Sequence, residues 1–263
     1  MAEAMIKGLV GQGLLPAHHI IASGPRPERG AELAERYAIQ VTQDNVSAAG
    51  GRDIVVISVK PQFLDEVLAE LCCGATIRPE ALVLSIVAGA TIERIAKGLD
   101  HHAIVRVMPN TPAQVGMGMS VWTATPQTGE AQRAQARAIL AALGEELYVD
   151  HEDYLDMATA LSGTGPAYVF LVMEALIDAG VHMGFSRRVA EQLVMQTMRG
   201  SLEFARASRR HPVELRNMVT SPGGTSAEAL YQLEKGGLRT VISKAVWAAY
   251  QKSRYLGGLS HDR

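Results

Sequence analysis

Asp53-Ile54-Val55-Val56-Ile57-Ser58-Val59 and Ala81-Leu82-Val83-Leu84-Ser85-Ile86-Val87 decide the fold class of this chain. Both are nearly continuous apolar runs of strand length, without polar alternation. Strands of this kind are buried on both faces, as in a parallel sheet covered by helices. A helical stretch over residues 61–72 separates them. Outward from this pair, β-rich runs at 19–22 and 103–108 and helical stretches at 27–37 and 91–99 continue the alternation. Alternating strands and helices imply an α/β domain built from right-handed crossovers. Two more strands, at 119–123 and 146–149, bracket a helix over 129–143.

Beyond residue 150 the strand signal ends. Pro166 opens a helix running to about Met183, with Gly184 as its stop. Its acidic residues are Glu174 and Asp178, and the rest is apolar almost all round. Such a helix is expected to be buried on most sides, either within one monomeric core or with its surplus apolar face against a second subunit. Ser186 caps a helix to about Ala207, His211-Pro212 starts a short one, and helices at 225–235 and 238–256 complete an all-helical region. The expected division is 1–150 for the α/β part and 151–263 for the helical part.

A length of 263 residues suits one or two domains. The hydrophobic fraction of 48% excludes a disordered chain. With 25 Lys+Arg against 27 Asp+Glu, there is no basic excess to hold a nucleic acid. The cysteines, Cys72 and Cys73, are adjacent, so no disulfide framework exists and a reducing cytoplasm is expected. Apolar runs such as 167–173 fall short of the ~20 residues of a membrane span, and Met1-Ala2-Glu3-Ala4-Met5 is no signal peptide.

A dinucleotide fold opens with a strand, a Gly-rich turn and a helix whose N-terminus faces the pyrophosphate. This chain starts directly with the helix, at 2–10, ending near Gly11 or Gly13. The opening strand, central in the order 3-2-1-4-5-6, and its glycine turn are expected ahead of Met1. Without them the neighbouring strands keep unpaired edges. The second strand ends Ala22-Ser23-Gly24-Pro25-Arg26, with no carboxylate before Glu28. A hydroxyl and a guanidinium suit a 2′-phosphate, which favours NADPH, with NADH as the alternative. The same residues also read as a polar turn capping the next helix. Later strands run into Val59-Lys60-Pro61-Gln62, Ala88-Gly89 and Met108-Pro109-Asn110-Thr111-Pro112-Ala113. Each taken alone is an ordinary surface loop. Three at the C-terminal edge of one sheet read as a binding edge, where Gly89 admits close approach of a cofactor ring.

In Val219-Thr220-Ser221-Pro222-Gly223-Gly224-Thr225-Ser226-Ala227-Glu228, Thr225 and Glu228 have capping-box spacing. Free amides after two glycines, at the positive end of a helix dipole, make an anion site to which Ser221 and Ser226 add hydroxyls. A plain capped helix is the other reading. No His, Cys and carboxylate cluster has metal-ligand spacing, and no Gly-x-Ser-x-Gly elbow appears. His101-His102 reads as a solvated turn.

Together, Val59-Lys60-Pro61-Gln62, the Met108–Ala113 loop, Leu161-Ser162-Gly163-Thr164-Gly165-Pro166-Ala167-Tyr168 and Val219-Thr220-Ser221-Pro222-Gly223-Gly224 resemble the pyrroline-5-carboxylate reductases over nearly the whole chain. The resemblance implies a Rossmann-like NAD(P) domain followed by an all-α dimerisation domain, and a homodimer or higher homo-oligomer. It implies reduction of 1-pyrroline-5-carboxylate to L-proline, the last step of proline biosynthesis. Ser23, Arg26, Asn45, Val59, Lys60 and Ala88 would hold NADPH. Asn110, Thr111, Ser221, Gly224, Thr225 and Ser226 would bind substrate, with Ser226 and Ser221 as the catalytic hydroxyls and no metal. The family usually carries threonine where this chain has Ser226. The rivals are another β-hydroxyacid-dehydrogenase-like oxidoreductase, whose general acid would have to be Lys235 or Lys244, and a non-catalytic reductase homologue.

Overall fold

The structure is a computed structural model and describes residues 1–73 and 76–258. The last five residues of the expected helical part, 259–263, lie outside the described residues. The chain opens with α1 (Ala2–Gly11), β1 (Ile21–Ser23), α2 (Pro27–Tyr37), β2 (Gln40–Thr42) and α3 (Asn45–Ala49). It continues through β3 (Ile54–Ile57), α4 (Leu64–Cys73), β4 (Leu82–Ser85), α5 (Ile92–Leu99) and β5 (Ile104–Met108). β6 (Gly118–Ala124), α6 (Glu130–Ala141), β7 (Gly144–Tyr148) and α7 (Asp153–Ala158) follow. A π-helical turn over Thr159–Gly163 leads into α8 (Gly165–His182), α9 (Arg187–Ser208), α10 (Pro212–Met218), α11 (Thr225–Lys235) and α12 (Leu238–Leu256).

β3, β4 and β5 pair in parallel, as apolar runs joined by helices must. β6 departs from the all-parallel expectation and runs antiparallel to β5. The link between them is the short 3-10 turn Thr111–Val115, too short for a crossover. β7 is parallel to β6, completing five strands in the order β3-β4-β5-β6-β7. The strands β1 and β2 form a separate parallel pair. β1 and β3 therefore each have one edge without a strand partner among the described residues. Their faces show it: β4 is buried at all four positions, whereas Val56 of β3 remains 38% exposed.

Two cores sandwich the sheet. Ala4 and Met5 of α1 and Ala136, Ile139 and Leu140 of α6 pack with Leu84, Val105 and Trp122 on one face. Leu64, Leu68 and Leu71 of α4 and Ile95 and Leu99 of α5 pack with Val55, Ile57, Val83 and Ile104 on the other. The two faces alternate along each strand, the period-2 geometry of a pleat. His101, expected in solvent, is buried. Its Nε2–H donates to the carbonyl of Ala81 at 2.8 Å, just ahead of β4, while His102 is exposed.

The chain divides into two compact units, Met1–Pro166 with Ala248–Arg263, and Ala167–Trp247. In the second unit α8 is not buried on most sides. Phe170 is 59% and Leu171 66% exposed, and only Ile177 and Gly180 of the helix are buried. The continuous helical run Asp153–His182 is long and apolar enough by length and composition to cross a membrane. Among the described residues no surface covers the exposed face of α8.

Candidate active site

In the first unit, parallel pairing puts the ends of β3, β4 and β5 on one edge of the sheet, with Ile57 beside Ser85 and Ser85 beside Arg106. The loops carrying Val59-Lys60, Ala88 and Asn110 leave from that edge. Val59 is half-buried against the α4–α5 core. Lys60 is exposed at the start of the 3-10 turn Pro61–Phe63, its carbonyl accepting from Phe63 N at 3.0 Å. Ala88 is half-buried.

Ser23 ends β1 and donates to Asn45 Oδ1 at 2.7 Å, and Asn45 Nδ2 donates to Glu70 at 2.6 Å. Arg26 is exposed at the N-cap of α2 and makes no capping hydrogen bond, so the polar-turn reading does not engage its side chain. The polar groups at this strand end are a hydroxyl, an amide that holds the Glu70 carboxylate, and an exposed guanidinium, and the guanidinium is the group that suits a phosphorylated ribose. α1 likewise starts without a side-chain cap, leaving first-turn amides available to an anion. The residues present therefore suit NADPH.

Asn110 has a task the sequence reading missed. Its Oδ1 accepts from Met119 N at 2.8 Å, and its Nδ2 donates to Ser162 O at 3.1 Å. It ties the loop after β5 both to β6 and to the π turn. That turn is bulged by its own hydroxyls: Thr159 Oγ1 donates to Leu155 O at 2.7 Å and Ser162 Oγ to Ala158 O at 3.0 Å. A Cβ on Gly163 would lie 2.5 Å from Met108 Cε, so the turn sits tight on the end of β5. Such bulges recur at functional sites. The sequence signal was the small-residue stretch Leu161-Ser162-Gly163-Thr164-Gly165-Pro166, one of the motifs that carry the resemblance. Thr111 is exposed at the start of its 3-10 turn.

The second unit holds the glycine-rich turn that opens α11. α11 starts at Thr225, but its N-cap is Gly224 and no side chain caps it. The capping box expected from Thr225 and Glu228 does not form. Glu228 N bonds to Gly224 O at 3.3 Å, and the Glu228 carboxylate accepts from Gln232 at 2.9 Å. A formed box would have consumed first-turn donors, and without it they stay available to an anion. The amides of Thr225 and Ser226 have no hydrogen-bond partner among the described residues. Gly223 at φ +69° makes the turn that exposes them, a conformation costly for other residues. Gly224 N donates to Ser221 O at 3.0 Å, which folds Ser221 back over the helix start. Ser226 is half-buried in the first turn, and Ser221 is exposed.

No group of three metal-ligating side chains occurs among the described residues. An α/β unit whose parallel strands end in loops at one sheet edge, followed by a helical unit, is the architecture of a two-part dinucleotide-dependent oxidoreductase.

Residues 152–256 match the family model for pyrroline-5-carboxylate reductase dimerisation, and residues 1–89 match that of NADP oxidoreductase, coenzyme F420-dependent. The pyrroline-5-carboxylate reductase of Synechocystis is 43% identical over 257 residues, covering 98% of this chain and 95% of the relative. The solved reductase of Coxiella burnetii superposes with a TM-score of 0.88 at 36% identity, covering 97% of this chain and 94% of that one. The Plasmodium falciparum pyrroline carboxylate reductase, solved with NADP bound, gives a TM-score of 0.87 at 32% identity, covering 97% of this chain and 93% of that one. The chain belongs to the pyrroline-5-carboxylate reductase family.

Proposed function

We propose that the chain reduces the C=N bond of 1-pyrroline-5-carboxylate to L-proline, as a cytoplasmic homodimer or higher homo-oligomer. The observation that carries this reading is the uncapped start of α11, where the turn through Gly223 and Gly224 leaves the Thr225 and Ser226 amides open to a small carboxylate. We assign cofactor binding to residues 1–150, and oligomerisation and substrate binding to 151–263. Ser23, Arg26, Asn45, Val59, Lys60 and Ala88 would hold NADPH, with Ser23 and Arg26 toward the 2′-phosphate. Bound NADPH supplies the hydride that reduces the imine carbon.

The protein's own work is placement. The Thr225 and Ser226 amides hold the carboxylate, Ser221 closes over it, and the Ser226 hydroxyl hydrogen-bonds the ring nitrogen. Asn110 and Thr111 border the ring. A protonated imine is already electrophilic, so no strong protein acid is required, and orientation of this kind supplies ~7–11 kcal/mol of a barrier. The free, exposed Cys72 suits the reducing cytoplasm.

NADPH oxidation followed with and without 1-pyrroline-5-carboxylate tests the proposal. Turnover to proline is expected. NADPH oxidation indifferent to the pyrroline, or in its place reduction of NADP by a β-hydroxyacid, would overturn it.

A further inference from the structure

Outside the proposed site, buried charges gather where β5 meets α7 and the end of α12. Arg106, at the middle of β5, is only 4% exposed. Its Nη1 donates to Glu152 Oε1 at 2.6 Å, and the same oxygen accepts from Ile92 N, at the start of α5, at 2.7 Å. Its Nη2 lies 3.8 Å from Asp156 Oδ1, and that oxygen accepts from Ser253 Oγ at 2.6 Å. Asp156 and Ser253 are both buried. A continuous polar chain thus runs from the sheet to the last turn of α12. Just past Ser253, the backbone of Leu256 and Gly257 closes on Gly89. A Cβ on Gly89 would lie 3.1 Å from Leu256 C and 3.3 Å from Gly257 N, and one on Gly257 would lie 3.2 Å from Gly89 O. Gly89, at φ +73°, was expected to admit a cofactor ring, and what it admits here is the end of the chain's own last helix.

Stability alone does not require such a network. Burying a guanidinium and a carboxylate costs about what their attraction returns, and apolar residues of similar volume would serve. What charged hydrogen bonds add is one defined geometry. We propose that the end of α12 is a latch on the loop Ala88-Gly89-Ala90. Ser253, Asp156 and Arg106 are positioning residues that hold this loop in its cofactor-receiving place. The role in cofactor binding rests on the assignment of Ala88 to the dinucleotide above; the latch itself does not.

The test uses the full chain with Ser253→Ala, Ser253→Thr and Gly257→Ala. Hydrogen exchange without cofactor reads the latch. The amides of Ala90 and Ile92 should exchange about tenfold faster in Ser253→Ala and Gly257→Ala, and near the parent rate in Ser253→Thr, which keeps the hydroxyl. The KM for NADPH should rise about fivefold in the same two variants while the KM for the pyrroline carboxylate stays unchanged. Unchanged exchange in both variants overturns the latch. Faster exchange with an unchanged NADPH KM overturns its positioning role. If the parent binds no NADPH, the cofactor assignment has failed, and exchange still decides the latch. If Ser253→Ala does not fold, Gly257→Ala, placed beyond the helix end, carries the test.

Discussion

In the sheet of the first unit Leu82, Val83, Leu84, Ile104, Val105 and Trp122 have no exposed surface at all. Between Ala167 and Trp247, Ile177 and Ala190 are the buried hydrophobics among the described residues, while Phe170, Leu171, Leu193, Met195 and Leu202 stand half exposed or more. Both stretches are rich in apolar residues, and only one finds its partners among the described residues. Monomers rarely leave large apolar patches in water, so the helical unit is half of a core whose other half is a second copy. Apolar content therefore says how much surface must be covered, not what covers it.

The largest expected effect breaks the helical half of this comparison. Phe170→Glu places a charge on the face that a second copy should bury, at a cost of several kcal/mol if it stays unpaired. Light scattering should then give a monomer at micromolar concentration, with helical content retained. A dimer that survives, together with dimers surviving similar changes at Leu171, would remove α8 from the interface.

Trp122→Ala probes the self-contained half. Its ring is fully buried, stacked edge-on against Tyr148 at 4.9 Å between centroids. Truncation should cost about 3–5 kcal/mol, seen as a lowered denaturation midpoint without a change in the subunit-exchange rate. A loss under 1 kcal/mol would mean that this core is less closed than its burial implies.

A smaller effect lies in the anion cluster of the helical unit. Ser226→Ala should lower turnover by about 1–3 kcal/mol, roughly five- to hundredfold, with NADPH affinity unchanged. Ser226→Thr should keep activity, since the hydroxyl remains and the added methyl restricts χ1. Equal loss in both would move the role from the hydroxyl to the packing around it.

The smallest effect concerns Glu3, which joins α1 to α2 through Arg29, Arg36 and Tyr37. Burial pushes its carboxyl up, but hydrogen bonds from Tyr37 and Arg29 and the charges of Arg29 and Arg36 hold it below the ordinary carboxylate range. A carboxyl lowered in the folded state stabilises above its unfolded pKa, and that stability is lost as pH falls through the folded value. Glu3→Gln should cost under about 1 kcal/mol at neutral pH. Melting curves of the two proteins should converge in acid, and a gap that persists there would show the loss to be one of packing.

Local pattern carried most of the architecture. α2, α11 and α12 start and end where Pro27, the glycines before Thr225 and the apolar periodicity put them, because a helix is set by residues three and four apart. The strands β3, β4 and β5 follow from apolar runs, and the open start of α11 from two adjacent glycines. The short β2 and α3 were not legible, since three- and five-residue elements carry too little periodicity to stand out. What the tertiary structure alone decided is non-local. The antiparallel turn of β6, the separate pairing of β1 with β2, the exposure of α8 and the chain from Arg106 to Ser253 depend on residues far apart in sequence. Arg106 reads as an interruption in an apolar strand until Glu152, Asp156 and Ser253 are brought to it. A single sequence records what each residue prefers, and pairing between distant residues is settled only when the chain closes on itself.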